Sequence, residues 1–241
     1  MSKKVLVLHV SGKIGKSVMA RELFYQHMDN ALYIEVEERN SGTEGFKGIN
    51  SIRISAEKFM VASVFTKKAL AENLVVDVGA SQLAEFFEMA QQIEGLIEDF
   101  DFFIIPCNSD VDVIKDTVTT IYILMKDYNI PKEKIKIIFN RVKADPRENS
   151  SLMEELIKKV NIPYKVSFDL CYPSFSAMNA LIESQKTTRE ICEDTTDYFT
   201  LCKETPKDDP KFPEYSAMLV QKATVTRMFQ ASKDIFERIV K

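Results

Sequence analysis

The chain has 241 residues, 45% hydrophobic and 28% charged, with a net charge of −4; the length fits one large α/β domain or two small ones, one sheet with flanking helices being the simpler reading, and the charge argues against wholesale wrapping in nucleic acid, though not against a local basic patch. Its four cysteines show no CxxC spacing and its two histidines, His9 and His27, make no ligand pair, so the pattern is that of reduced cysteines in a cytoplasmic protein rather than of a zinc site. No apolar stretch approaches the ~20 residues of a spanning helix, and the run after Met-Ser-Lys-Lys is too short for a signal-peptide core, so a cytosolic chain without a membrane attachment is expected.

Residues 5–10 form an apolar run suited to a buried parallel strand. The loop Ser11-Gly12-Lys13-Ile14-Gly15-Lys16-Ser17 follows, holding two of the chain's seven glycines, and a helix-forming run starts at Val18. Strand, glycine loop and helix, with Gly-Lys-Ser at the end, is the context of a Walker A phosphate loop. The backbone of Ser11, Gly12, Lys13, Ile14, Gly15, Lys16, Ser17 and Val18 is therefore expected to bind the nucleotide. Its N–H groups would turn toward phosphate oxygens, and the helix N-terminus adds partial positive charge. Lys16 is expected on the β- and γ-phosphates and the Ser17 hydroxyl on Mg²⁺. The common pattern has a glycine five positions before Gly15, where this chain has Val10.

Residues 31–37 read as a second strand, ending in Glu35, Glu37 and Glu38. Glu37 is the acid expected to orient an attacking or metal-bound water. Gly42, Gly45 and Gly48 then predict a mobile loop that orders on nucleotide binding. A short edge strand is expected near 49–54, a helix over 56–71 and a buried strand over 73–78. Asp77 at the end of that strand fits a Walker B carboxylate holding Mg²⁺, and Gly79 would let the backbone approach a γ-phosphate. A helix is predicted over 81–98 with Ser81 as its N-cap, then a strand over 100–107, a helix over 110–128 and a strand over 135–140. Asn140 carries both donor and acceptor and can read an adenine edge, with Arg141 beside it. Lys143 and Asp145 complete Asn-Arg-Val-Lys-Ala-Asp, which matches the guanine-reading motif of GTPases only loosely.

The alternation predicts a mostly parallel central sheet with helices on both faces and ligands at the C-terminal ends of the strands. Residues 1–203 would form this domain. The stretch 204–214 is proline-rich and reads as a linker or loop. Residues 215–241 read as an amphipathic helix that packs back on the domain or docks a partner.

Together these residues resemble the ParA/MinD branch of P-loop ATPases, and within it the StbB-type plasmid stability proteins. The resemblance rests on the 11–17 loop, Val36-Glu37-Glu38-Arg39-Asn40, Asp77-Val78-Gly79 and Phe139-Asn140-Arg141-Val142, with Ile162-Pro163-Tyr164 and Ser176-Ala177-Met178-Asn179-Ala180 in support. It spans about residues 4 to 195. It implies binding of Mg²⁺ with ATP or ADP, ATP-dependent homodimerisation, slow hydrolysis, and a DNA-binding adaptor linking the ATPase to a plasmid; direct DNA binding stays open. It also implies catalytic roles for Lys13, Lys16, Glu37 and Asp77. The family's signature lysine falls at Ser11, and Lys13 two residues later is expected to take its place, in cis or in trans. Glutamates stand where the family has an aspartate-rich motif. Two other readings share the fold: a dethiobiotin-synthetase-like ligase, for which no second substrate constellation is visible, and a non-hydrolysing nucleotide-bound scaffold.

Overall fold

A computed structural model describes residues 2–38, 46, 48–56, 73–92, 95, 97–142, 150–173 and 177–241. The expected helix over 56–71, apart from Ala56, and the glycine loop after Asn40, apart from Phe46 and Gly48, lie outside these residues, as do Arg39, Asn40, Lys143, Asp145 and Ser176.

Among the described residues seven strands form one sheet: β1 (Lys4–Val7), β2 (Leu32–Val36), β3 (Ser51–Ile54), β4 (Leu74–Val78), β5 (Phe102–Cys107), β6 (Ile135–Val142) and β7 (Cys171–Pro173). Their order is β3-β2-β4-β1-β5-β6-β7, and every adjacent pair is parallel. The central runs are apolar on both faces because both faces are covered. Every residue of β4 is buried. β3 instead alternates exposed and half-buried positions, as an edge strand does.

One layer holds α2 (Leu83–Ala90), α3 (Val111–Tyr122) and α4 (Ser150–Lys159), whose apolar sides join Leu6, Val76 and Phe103 in one core. On the opposite face Val5, Val7, Val75 and Ile138 meet α1 (Lys16–Val18), its π-type continuation Met19–Phe24, and α8 (Phe212–Val240). The short helices α5 (Ala177–Ser184), α6 (Thr188–Glu193) and α7 (Tyr198–Glu204) precede α8.

Boundaries differ from expectation in several elements: the strand expected over 5–10 ends at Val7, the one expected over 135–140 runs on to Val142, and three helices depart further. The helix predicted over 81–98 is a 3-10 turn (Ala80–Gln82) followed by α2, which ends at Ala90. Ser81 makes no cap; its hydroxyl is drawn away to Glu37. Gly95 beyond the helix end has φ +78°, a conformation that no α-helix continues. The helix predicted over 110–128 is α-helical only to Tyr122 and ends in π-type turns over Ile123–Asp127. Asp110 caps it, its carboxylate accepting from Asp112 N at 2.9 Å. α8 begins at Phe212 rather than Tyr215, because Pro213 in the first turn lacks only an N–H that would have no helical partner.

α8 lies against the domain through buried Val225, Met228, Ile235 and Ile239. Phe236 meets Phe24 edge-on at 6.2 Å. His27 packs beside Phe236, ring centroids 5.6 Å apart, its Nε2 2.7 Å from Ser232 Oγ and its ring 4.6 Å from that of Phe229. Burial, with the positive Arg189 and Lys233 near it, lowers its pKa to about 4, against the opposing pull of Glu237. The folded value is below the unfolded one, so the unfolded chain takes the proton first. This contribution is complete above pH 6.5 and is lost as pH falls toward 4. Between pH 7.5 and pH 5 the wild type should lose about 2 kcal/mol more stability than His27→Gln, measured by urea unfolding. Equal losses in both proteins would show that His27 is not buried against α8. Among the described residues no helix, α8 included, is long and apolar enough to cross a membrane.

Candidate nucleotide site

The loop after β1 is held from two sides. Asn140 on β6 is buried beneath it, and its Nδ2 donates to the Ile14 carbonyl at 2.8 Å. On the other side α3 binds three successive loop residues. His9 Nε2 is 3.0 Å from Thr117 Oγ1, Val10 N donates to Thr120 Oγ1 at 3.4 Å, and the Ser11 hydroxyl donates to the Asp116 carboxylate. Ser11 N donates to His9 Nδ1 at 2.9 Å, so Nε2 carries the ring proton and donates to Thr117. Burial first, then the nearby Lys16 charge, lower the His9 pKa to about 4 and keep the ring neutral.

Gly15 has φ +100°, and a Cβ there would lie 2.1 Å from Asn140 Nδ2, so both backbone and packing demand glycine. Lys13 at the exposed tip has φ +60°. Val10 is not among the described residues of positive φ, so the usual glycine is not needed there.

Lys16 opens α1, and its chain is largely buried. Its Nζ donates to the Ser11 carbonyl at 2.7 Å, closing the loop on itself. Burial pushes its pKa down, while the Asp77 and Glu37 carboxylates pull it up. Asp77 ends β4 opposite Glu35 of β2 and Val7 of β1. Burial raises its pKa to about 6; the Ser17 side chain and the Lys16 ammonium favour its charged form, and Glu35 opposes them. Asp77 Oδ2 accepts from the Tyr33 hydroxyl at 3.2 Å. Its Oδ1 is buried and makes no hydrogen bond.

Glu37 follows β2 and leans over Gly79, where a Cβ would stand 2.1 Å from Glu37 Oε2. Its Oε1 accepts from Ser81 Oγ and from Glu38 N, each at 3.0 Å. Gly79 has an ordinary negative φ, so a side chain there would displace the close Glu37 carboxylate rather than strain the backbone.

Lys16, Ser17, Asp77, Gly79 and Glu37 thus converge where β1, β2 and β4 end. Among the described residues no three His, Cys, Asp or Glu side chains gather to hold a metal. A serine hydroxyl and one carboxylate with an unsatisfied oxygen instead fit Mg²⁺, a hard cation that takes few protein ligands and keeps waters and phosphates. The glycine loop and the buried ammonium fit the phosphates.

No protein-family model matches the chain, and a search of curated proteins gives no match. Solved structures do match along almost the whole chain. A ParA family ATPase from Chlorobium tepidum TLS aligns with a TM-score of 0.55 at 14% identity, covering 99% of each chain. The fold is that of the ParA/MinD-type P-loop ATPases. Apo McdA from Cyanothece aligns at 0.50 and 12% identity over 94% of this chain and 98% of that one. The MinC:MinD cell division protein complex of Aquifex aeolicus gives 0.50 and 13% over 95% and 96%.

On this ParA/MinD-type fold Asn140 supports the loop, its bond to Ile14 using one of the two hydrogens on Nδ2. Arg141 beside it is exposed, with φ +55°. Sequence reading missed Ser81, Tyr33 and the α3 brace. Ser11 and Asp116 are 105 residues apart, and no local pattern pairs residues at such separation. Tyr33 alone carried a signal, standing two positions before Glu35 and so on the same face of β2.

Proposed function

We propose that this chain is a Mg-ATP-binding, slowly hydrolysing switch ATPase of the ParA/MinD type whose dimeric state follows its nucleotide. It would act in the cytoplasm in plasmid stability or partition, as the StbB-like motifs suggest, through a DNA-binding adaptor. The observation that carries this reading is the convergence of Lys16, Ser17, Asp77 and the Glu37–Gly79 pair at one end of the sheet. Lys16 would leave the Ser11 carbonyl for the phosphates, and the loop N–H groups would bind their oxygens. Ser17 and Asp77 would hold Mg²⁺, which neutralises charge developing on the phosphates. Glu37, fixed by Ser81, would orient water beside Gly79. Lys13, exposed at the loop tip, would add positive charge in cis or across a dimer.

Light scattering with Mg-ADP, Mg-ATP and a non-hydrolysable analogue tests this. A dimer is expected with ATP or the analogue only, and Lys13→Ala should lose it. One mass under every nucleotide would sink the switch and favour a scaffold or a metabolic enzyme.

A further inference from the structure

Tyr33 is fully buried on β2, under the π-type helical segment. Its register partner on β4 is Val75, so its side chain reaches along the sheet to Asp77, the diagonal neighbour two residues on. A phenylalanine would fill the same space. The hydroxyl therefore needs its own reason to be there, since a buried O–H without an acceptor costs stability. Asp77 Oδ2 is that acceptor. The ring is fixed as well. It meets Tyr25 edge-on at 5.8 Å, and the Tyr25 hydroxyl in turn accepts from Asn50 N at 2.7 Å. The Tyr33 backbone N donates to the Asn50 carbonyl at 3.1 Å.

We infer that Tyr33 is a positioning residue for the metal carboxylate: by holding Asp77 Oδ2 it presents Oδ1 to Mg²⁺ or to a Mg²⁺-bound water. Among the described residues Asp77 Oδ1 is the one buried carboxylate oxygen without a hydrogen bond. The Tyr33 hydroxyl sets which of the two oxygens faces the ion, by restraining rotation about the Asp77 Cβ–Cγ bond. This rests on the nucleotide reading of the site proposed above. It adds an outer layer to that site, of the kind that tunes metal affinity without touching the metal.

The test is Tyr33→Phe, near-isosteric and without the hydroxyl. Binding of a fluorescent ATP analogue is followed while Mg²⁺ is titrated, and again in EDTA. The Mg²⁺ midpoint should rise on the order of tenfold, with affinity in EDTA unchanged, because the Tyr33 hydroxyl bonds to Asp77 and not to the phosphate-loop residues. Combined with Asp77→Asn, Tyr33→Phe should add no further shift. A wild-type midpoint in Tyr33→Phe would overturn the inference alone, as would weakening that is equal with and without Mg²⁺. A wild type that binds the analogue without any Mg²⁺ dependence would remove the metal reading and this inference with it.

Discussion

Asp77→Asn should make the nucleotide-free protein more stable while abolishing the Mg²⁺ dependence of nucleotide binding. Burial holds the folded carboxyl near pKa 6 against 3.8 in the unfolded chain. A raised carboxyl pKa means that folding disfavours the charged form. This group's penalty is absent below pH 4, grows as pH rises to 6, and is complete above that. Its full size is about 3 kcal/mol. The amide removes that penalty and can still accept from Tyr33. It also deprives buried Lys16 of one of two carboxylates that favour its charge, the other being Glu37, and that loss offsets part of the gain. A net stabilisation of about 1–2 kcal/mol at pH 7.5 is expected, measured by urea unfolding without nucleotide. The same variant, titrated with Mg²⁺ against a fluorescent ATP analogue, should show no metal response, because the amide lacks the negative charge with which the carboxylate would draw in a divalent cation. A variant less stable than wild type would mean that Asp77 is held by its partners more strongly than burial penalises it.

Gly15→Ala should destabilise the protein and disable the loop together. The backbone at φ +100° costs an L-residue about 1–2 kcal/mol. The new Cβ would stand 2.1 Å from Asn140 Nδ2, so the amide must leave Ile14 and strand a buried carbonyl, a further loss of about 1–3 kcal/mol. The sum is about 3 kcal/mol, and nucleotide binding should fall with it as the loop N–H groups tilt. A double-mutant cycle separates the two terms. In an Asn140→Ala background the clash is gone and only the backbone term of about 1–2 kcal/mol should remain. An equal cost in both backgrounds would show that Asn140 does not press on Gly15.

Local chemistry made much of this molecule legible. The apolar runs around Val5, Ile34, Val75, Ile104 and Ile137 each became a strand, since continuous hydrophobicity suits positions covered on both faces. The loop between β1 and α1 was legible because its glycines fall between an apolar run and a helix-forming run. Ser81 was misread because cap residues are recognised by position alone, whereas its hydroxyl had a carboxylate to choose instead. The proline-rich stretch hid the start of α8, because Pro213 breaks a helix interior but suits a first turn.

By itself the sequence determined which segments extend, which coil, and where the glycine loop sits along the chain. Tertiary structure decided which of those segments are neighbours. The order β3-β2-β4-β1-β5-β6-β7 sets β4 between β1 and β2, and only that placement brings Asp77 against Tyr33, Glu37 against Gly79, and both carboxylates within electrostatic reach of Lys16. The same packing lays α3 and β6 on either side of the loop, where Thr117 and Asn140 bind it. Periodicity reports the environment of one segment. Contacts between residues tens to a hundred positions apart depend on the order in which parallel strands pair, and no repeat along the chain encodes that order.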